Sequence, residues 1–153
     1  MREILFRGKK HNGEWVEGNL FIPDLPDTPT QICIGTDVIR IPYNVIPETV
    51  GQYTGSTDKN GKKIFEGDVV DFYFFDKGHK NTKTMLIEWR DNGFCMRELY
   101  RDYRLADDFS IIEEKIFTYR GDIRNGVYTT NYTYFVEVIG NIHDNPELLE
   151  VQI

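Results

Sequence analysis

Four groups of side chains in this 153-residue chain have types and spacings that could do chemistry. Ser56, Asp58, Asn60, Gly61 and Glu66 set oxygen donors at alternate positions before a glycine and an acid, the outline of a calcium loop. The count breaks that outline. Glu66 falls one residue short of the final ligand position, Ser56 stands where an Asp should lead, and the flanks read as strands rather than helices. A plain β-turn is favoured. Glu66 and Asp68, separated by Gly67, form the second group, since two carboxylates with divided pKa values can serve as general acid and base. At the entrance to an apolar strand, acids beside a glycine commonly hydrogen-bond the adjoining turn, and that structural role is the better reading. His143 beside Asp144 is the third, with a capping or exposed role favoured over catalysis. Arg97, Arg101 and Arg104, interleaved with Tyr100 and Tyr103, are the fourth. They could stack and neutralise single-stranded nucleic acid, but Glu98 and Asp102 sit among them and favour local ion pairs.

Other chemical signatures are missing from the sequence. His11, His79 and His143 are isolated from one another and from cysteine, so no metal site is expected. There is no nucleophile elbow, phosphate loop or dinucleotide fingerprint, and no cofactor is expected. Cys95, between Phe94 and Met96, reads as a small core residue. Cys33 and Cys95 lie in neither a redox nor a zinc spacing, which reads as reduced thiols and a cytosolic setting.

Composition narrows the classes further. Nine Tyr, ten Phe and two Trp favour pleated surfaces and a β architecture. The net charge of -7 repels a phosphate backbone at long range and disfavours general nucleic-acid binding, although it permits a local basic face. The opening residues MREILFRGKKHNG carry too many charges for a signal-peptide core, and no apolar run has the length of a membrane span.

The elements that must position these residues read as hairpins. Ile4 and Phe6 face Trp15 to Ile22 across Asn12-Gly13, with Gly18 a candidate bulge. Pro23, Pro26 and Pro29 then end strand pairing. Gln31 to Ile41 folds back at Gly35-Thr36-Asp37, and Pro42 and Pro47 mark an edge or a connection. The run Val69 to Phe75 is uniformly apolar and predicts a central strand buried on both faces. Asp91-Asn92-Gly93 predicts a third hairpin, between Met85 to Trp89 and Phe94 to Met96. Asn125-Gly126 predicts a fourth, with the run Val127 to Ile139 as its second arm. Met96, Leu99, Tyr100 and Tyr103 follow a helical spacing that allows one short helix over Arg97 to Leu105. Asn145, Pro146 and Glu147 predict the start of a short C-terminal helix. One domain over residues 1–153 is expected, divisible into an N-terminal β sub-lobe, 1–48, and a remainder, 49–153.

Three segments together resemble the YopX family of bacteriophage and prophage proteins. They are REILFRG with Trp15 and Gly18, the block from Val50 to Val70 (VGQYTGSTDKNGKKIFEGDVV), and the block from Glu137 to Leu149 (EVIGNIHDNPELL). The motif positions are Gly51, Tyr53, Thr54, Gly55, Asp58, Gly61, Glu66, Gly67, Asp68, Gly140, Asn141, Asn145 and Pro146. The resemblance implies a mostly β fold of antiparallel, barrel-like sheets, a phage or prophage origin, and no established catalytic residues. The leading expectation is a non-enzymatic accessory protein in the bacterial cytoplasm, whose β surface binds a host or phage protein or a second copy of itself. A nucleic-acid module using Arg97 to Arg104, a DNA-mimicking acidic surface, and an enzyme using Glu66, Asp68 or His143 are the competing expectations.

Overall fold

The computed structural model describes residues 1–35, 38–76, 79–90, 93–98, 127–129 and 133–149. The chain divides into two units, Met1–Gly55 and Ser56–Ile153. Among the described residues, no helix is long and apolar enough to cross a membrane.

In the first unit, β1 (Phe6–Lys9) and β2 (Trp15–Phe21) form the hairpin predicted around Asn12-Gly13. Its turn closes through the Gly13 N–H to the Lys10 carbonyl at 2.9 Å and the Glu14 N–H to Asn12 Oδ1 at 3.0 Å. The second predicted hairpin is also present, as β3 (Gln31–Gly35) and β4 (Arg40–Asn44). With β5 (Ile46–Thr57) the order is β4-β3-β2-β1-β5. Alternation sends Val16, Leu20, Ile32 and Tyr43 to one face, where they pack with Phe6, Val45 and Val50. Pro42 lies in β4, the edge strand of that order, as its missing N–H requires.

Gly18 is not a bulge. It pairs in register with Phe6, and a side chain there would lie 2.3 Å from the Cys33 carbonyl oxygen, so glycine is demanded by the close approach of β3. The irregularity falls instead between β1 and β5. Arg7 pairs with Gly51 and Lys9 with Ile46, so the four residues Pro47 to Val50 oppose Gly8 alone. Pro47, the second residue of β5, sits inside this bulge, where no regular ladder bond is asked of it. Thr49 closes the gap. Its buried hydroxyl accepts the Lys9 N–H at 2.8 Å and donates to the Ile46 carbonyl at 2.6 Å.

In the second unit, β6 (Lys63–Phe65) follows the end of β5 in the strand order. β7 (Asp68–Asp76), β8 (His79–Arg90), β9 (Gly93–Glu98), β10 (Val127–Thr129) and β11 (Thr133–Asn141) form a second antiparallel sheet in the order β10-β11-β7-β8-β9. β7 is central, as its apolar run predicts. Val69 and Val70 are both fully buried, so that end of the strand is covered on both faces, while Asp71 and Phe72 are half-buried. One face carries Ile64, Val70, Met85, Ile87, Met96 and Val136 as its core. The other carries polar cross-strand pairs, the Thr84 hydroxyl to Asp71 at 3.1 Å and Arg97 to Glu88 at 3.1 Å.

Several expectations need correction. Each sheet keeps two end strands and neither closes, so the fold is mostly β with two open antiparallel sheets rather than a barrel. Arg97 and Glu98 belong to β9, because pairing with β8 at Leu86 and Met85 overrides the helical spacing; residues 99–105 lie outside the described residues. The run Val127 to Ile139 is not one arm but already a hairpin, β10 against β11, while Asn125-Gly126 and the residues before them, from 99 on, lie outside the described residues. The C-terminal helix is a single 3-10 turn, Pro146–Leu149.

Two measurements follow. Thr49→Val keeps the shape but strands the Lys9 N–H, and should lower stability by about 1–2 kcal/mol in urea unfolding. At the first hairpin the Lys10 ammonium and Asn12 amide bond to Glu14 and hold its exposed carboxyl below the ordinary value of 4.5. A lowered folded pKa stabilises above the unfolded value and is lost as pH falls through the folded one. Glu14→Gln should therefore show a slightly lower urea midpoint than the parent at pH 6, with the difference vanishing in acid below Glu14's folded pKa.

Candidate functional site

The middle and C-terminal motif blocks meet in the second unit, and the carboxylate of Asp58 joins them. Asp58 follows β5 and is 1% exposed. Its Oδ1 accepts the N–H groups of Asn60 at 2.8 Å and Lys62 at 2.9 Å, which shapes the turn into β6. Its Oδ2 accepts the Val138 N–H at 3.0 Å, 80 residues away on β11. The Lys59 N–H to the Val136 carbonyl at 2.9 Å and the Lys59–Glu137 ion pair at 2.9 Å lie alongside. The residues that outline a calcium loop thus turn their principal carboxylate inward, onto backbone donors. Gly61 lies in the same turn.

Asp68 repeats the device. It is 1% exposed, and its Oδ2 accepts the Phe65 N–H at 2.8 Å across the turn from β6 to β7. Gly67 takes a φ of 87° in that turn, which a residue with a Cβ adopts only under strain. Its N–H donates to the Ile87 carbonyl at 2.8 Å and its carbonyl accepts the Ile142 N–H at 3.0 Å, so the turn is tied to both β8 and the end of β11. Glu66 is half-buried at the crest. Asp68 pairs with Asn141, which brings the backbone of Glu66 to Asp68 beside the loop holding His143. That loop is an arrangement of side-chain caps. Asn141 Oδ1 accepts the N–H groups of His143 at 3.0 Å and Asp144 at 2.9 Å, and Asn145 Oδ1 accepts the Asn141 N–H at 3.3 Å. Gly140 precedes this loop, and Pro146 opens the 3-10 turn after Asn145. In the first unit Gly51, Tyr53, Thr54 and Gly55 lie along β5, with Tyr53 and Thr54 buried.

The remaining candidates separate. Arg97 donates to Glu88 on the neighbouring strand, which offsets its charge on the sheet surface; Tyr100, Arg101, Tyr103 and Arg104 lie outside the described residues. Cys95 is buried in β9, and both cysteines are free thiols.

A concave site not anticipated from the sequence lies in the first unit, against β2, β3 and β4. The β2–β3 ladder spans Asn19 to Phe21 against Gln31 to Cys33. Beside it is a cavity of about 290 Å³ lined by Asn19, Leu20, Phe21, Cys33, Ile34, Gly35 and Arg40. The phase of the β3–β4 ladder follows from the Val45 N–H to the Thr30 carbonyl at 3.0 Å. Antiparallel alternation then directs Ile32, Ile34, Ile41 and Tyr43 into β3–β4 bonds, and turns the backbone of Cys33 and Gly35 toward β2. By the same alternation Arg40, Pro42 and Asn44 face the free side of β4, where Pro42 has no N–H to offer. Around the cavity the surface is apolar: Phe21 is 50% exposed, Ile34 41%, Val38 90%, Ile39 66% and Ile41 50%. The sequence signal was the density of Ile and Val in ICIGTDVIRI, more than one buried face can absorb.

Asp58→Ala removes the acceptor for three backbone donors and should cost about 3–5 kcal/mol in urea unfolding, against about 1–3 kcal/mol for Asp58→Asn, which keeps one oxygen. A loss below about 1 kcal/mol for the alanine variant would show that the turn holds without the carboxylate.

No curated protein matches this chain. Among solved structures, the chain is similar to protein EF1440 from Enterococcus faecalis, at 23% identity and a TM-score of 0.52, over 98% of this chain and 100% of that one. At that identity the likeness concerns the fold. The model of the YopX protein family matches residues 5–150, nearly the whole length and both longer motif blocks, and the chain belongs to the YopX family.

Proposed function

We propose that this protein is a non-enzymatic binding domain whose partner is another protein, seated on the β3–β4 hairpin and the cavity beside it. The observation that carries the reading is the exposure of Ile34, Val38, Ile39 and Ile41 within eight consecutive residues of one hairpin. Single exposed apolar residues are ordinary, whereas a contiguous group next to a concavity marks a surface that gains by being covered. The acids near glycine turns support the non-enzymatic side of the reading, since Asp58 and Asp68 are buried against backbone N–H groups. The proposed setting is the cytoplasm of a bacterium carrying the gene on a phage or prophage, in keeping with the family resemblance.

Pro42 bears on how the partner binds. Strand addition along β4 needs a row of outward donors and acceptors, and the proline interrupts that row at its middle. Side-chain burial in the cavity and on the hairpin, rather than a new ladder, is the mode this surface favours. The double variant Ile39→Asp, Ile41→Asp alters only exposed positions and should leave the unfolding midpoint unchanged. It should also lose the proteins that the parent chain retains in affinity capture from host cells. Retention of the same proteins by both would overturn the assignment of this surface.

A further inference from the structure

We infer that the cavity lined by β2, β3 and β4 takes the C-terminal residue of the partner protein, an apolar side chain carrying a free α-carboxylate. This rests on the reading of the hairpin as a protein-binding surface. Size gives the first argument. At about 290 Å³ the cavity lies at the lower limit of ligand pockets, roughly 300–1,000 Å³, which suits one large residue rather than a longer inserted segment. Charge gives the second. Arg40 lines the cavity and makes no ion pair or hydrogen bond through its side chain with any described residue, in a chain whose net charge is -7. Its planar fork matches a carboxylate with two parallel hydrogen bonds. The walls give the third: Phe21 offers apolar contact, while Asn19 and Gly35 border the same space. Pro42 gives the fourth, because a chain that cannot continue as a strand along β4 is best engaged by its end.

The test uses the full chain and pentapeptides Gly-Ser-Gly-Ser-Xaa ending in Phe, Leu or Ile, each as free acid and as amide, with N-acetyl-phenylalanine as the small-acid control. Calorimetry should show the best free acid binding at least about tenfold more tightly than its amide. Arg40→Gln, with unfolding unchanged because the residue is exposed, should lose that factor and no longer distinguish the two. The bound peptide should slow alkylation of Cys33, followed by mass spectrometry, and leave Cys95 unaffected. Equal binding of acid and amide, or an Arg40→Gln variant that binds like the parent, overturns the carboxylate assignment, while the hairpin surface still stands or falls with the Ile39, Ile41 variant. N-acetyl-phenylalanine binding as tightly as the pentapeptide overturns the chain end in favour of a small free acid. No binding by any probe at millimolar concentration overturns the inference altogether.

Discussion

A carboxylate that reaches three backbone donors does work that no side chain of another kind does as compactly, and in the second unit Asp58 is that group. Two of its bonds are local and one crosses 80 residues. The local bonds fix the turn that launches β6, and the remote one sets where β11 must run relative to that turn. Asp68 performs the matching task at the next turn, and Gly67 ties that turn to β8 and to the loop after β11. Buried backbone N–H groups at turns need partners, and a buried carboxylate is tolerable only where several donors surround it. Each requirement answers the other. The same fact takes Asp58 out of chemistry, since a carboxylate bonded into its own turn is not offered to a substrate.

The first unit solves its polar problems differently. Its irregular ladder between β1 and β5 is mended by the Thr49 hydroxyl, a neutral group that both accepts and donates. Arg7, largely buried, lies over the Trp15 ring at 4.8 Å from the centroid, and Lys10 lies over Tyr43 at 5.1 Å. An aromatic face adds its own attraction for a cation, and Lys10 combines it with the ion pair to Glu14. Arg40 is the contrast within the same unit, an exposed guanidinium beside apolar walls.

Turns governed by local chemistry were legible in the sequence. Asn12-Gly13 and Gly35, the last residue of β3, announce their hairpins because the conformations they permit belong to the residues themselves. The central place of β7 was legible from an apolar run too long for a half-exposed strand. Features that depend on a distant partner were not. Gly18 looks like a bulge until the Cys33 carbonyl is seen against it, and the β1–β5 bulge has no local mark at all. Closure into a barrel depends on whether the last strands meet, which hairpin patterns do not encode. Arg97 follows a helical spacing, yet the ladder with β8 decides its state. The cavity was illegible for the same reason: its lining is assembled from three strands, β2, β3 and β4.

The motif blocks and the cavity lining are different residues. The two longer blocks that carry the YopX likeness, Val50 to Val70 and Glu137 to Leu149, hold the carboxylates, asparagines and glycines that build turns. The whole cavity lining, Asn19 to Phe21, Cys33 to Gly35 and Arg40, lies outside all three blocks. The turn chemistry is a condition for folding and would be the same whatever the protein bound. A side chain lining a cavity answers to the shape and charge of what enters it. The family likeness thus specifies the fold, and on the proposed reading the chemistry of recognition lies on the β2–β3–β4 surface.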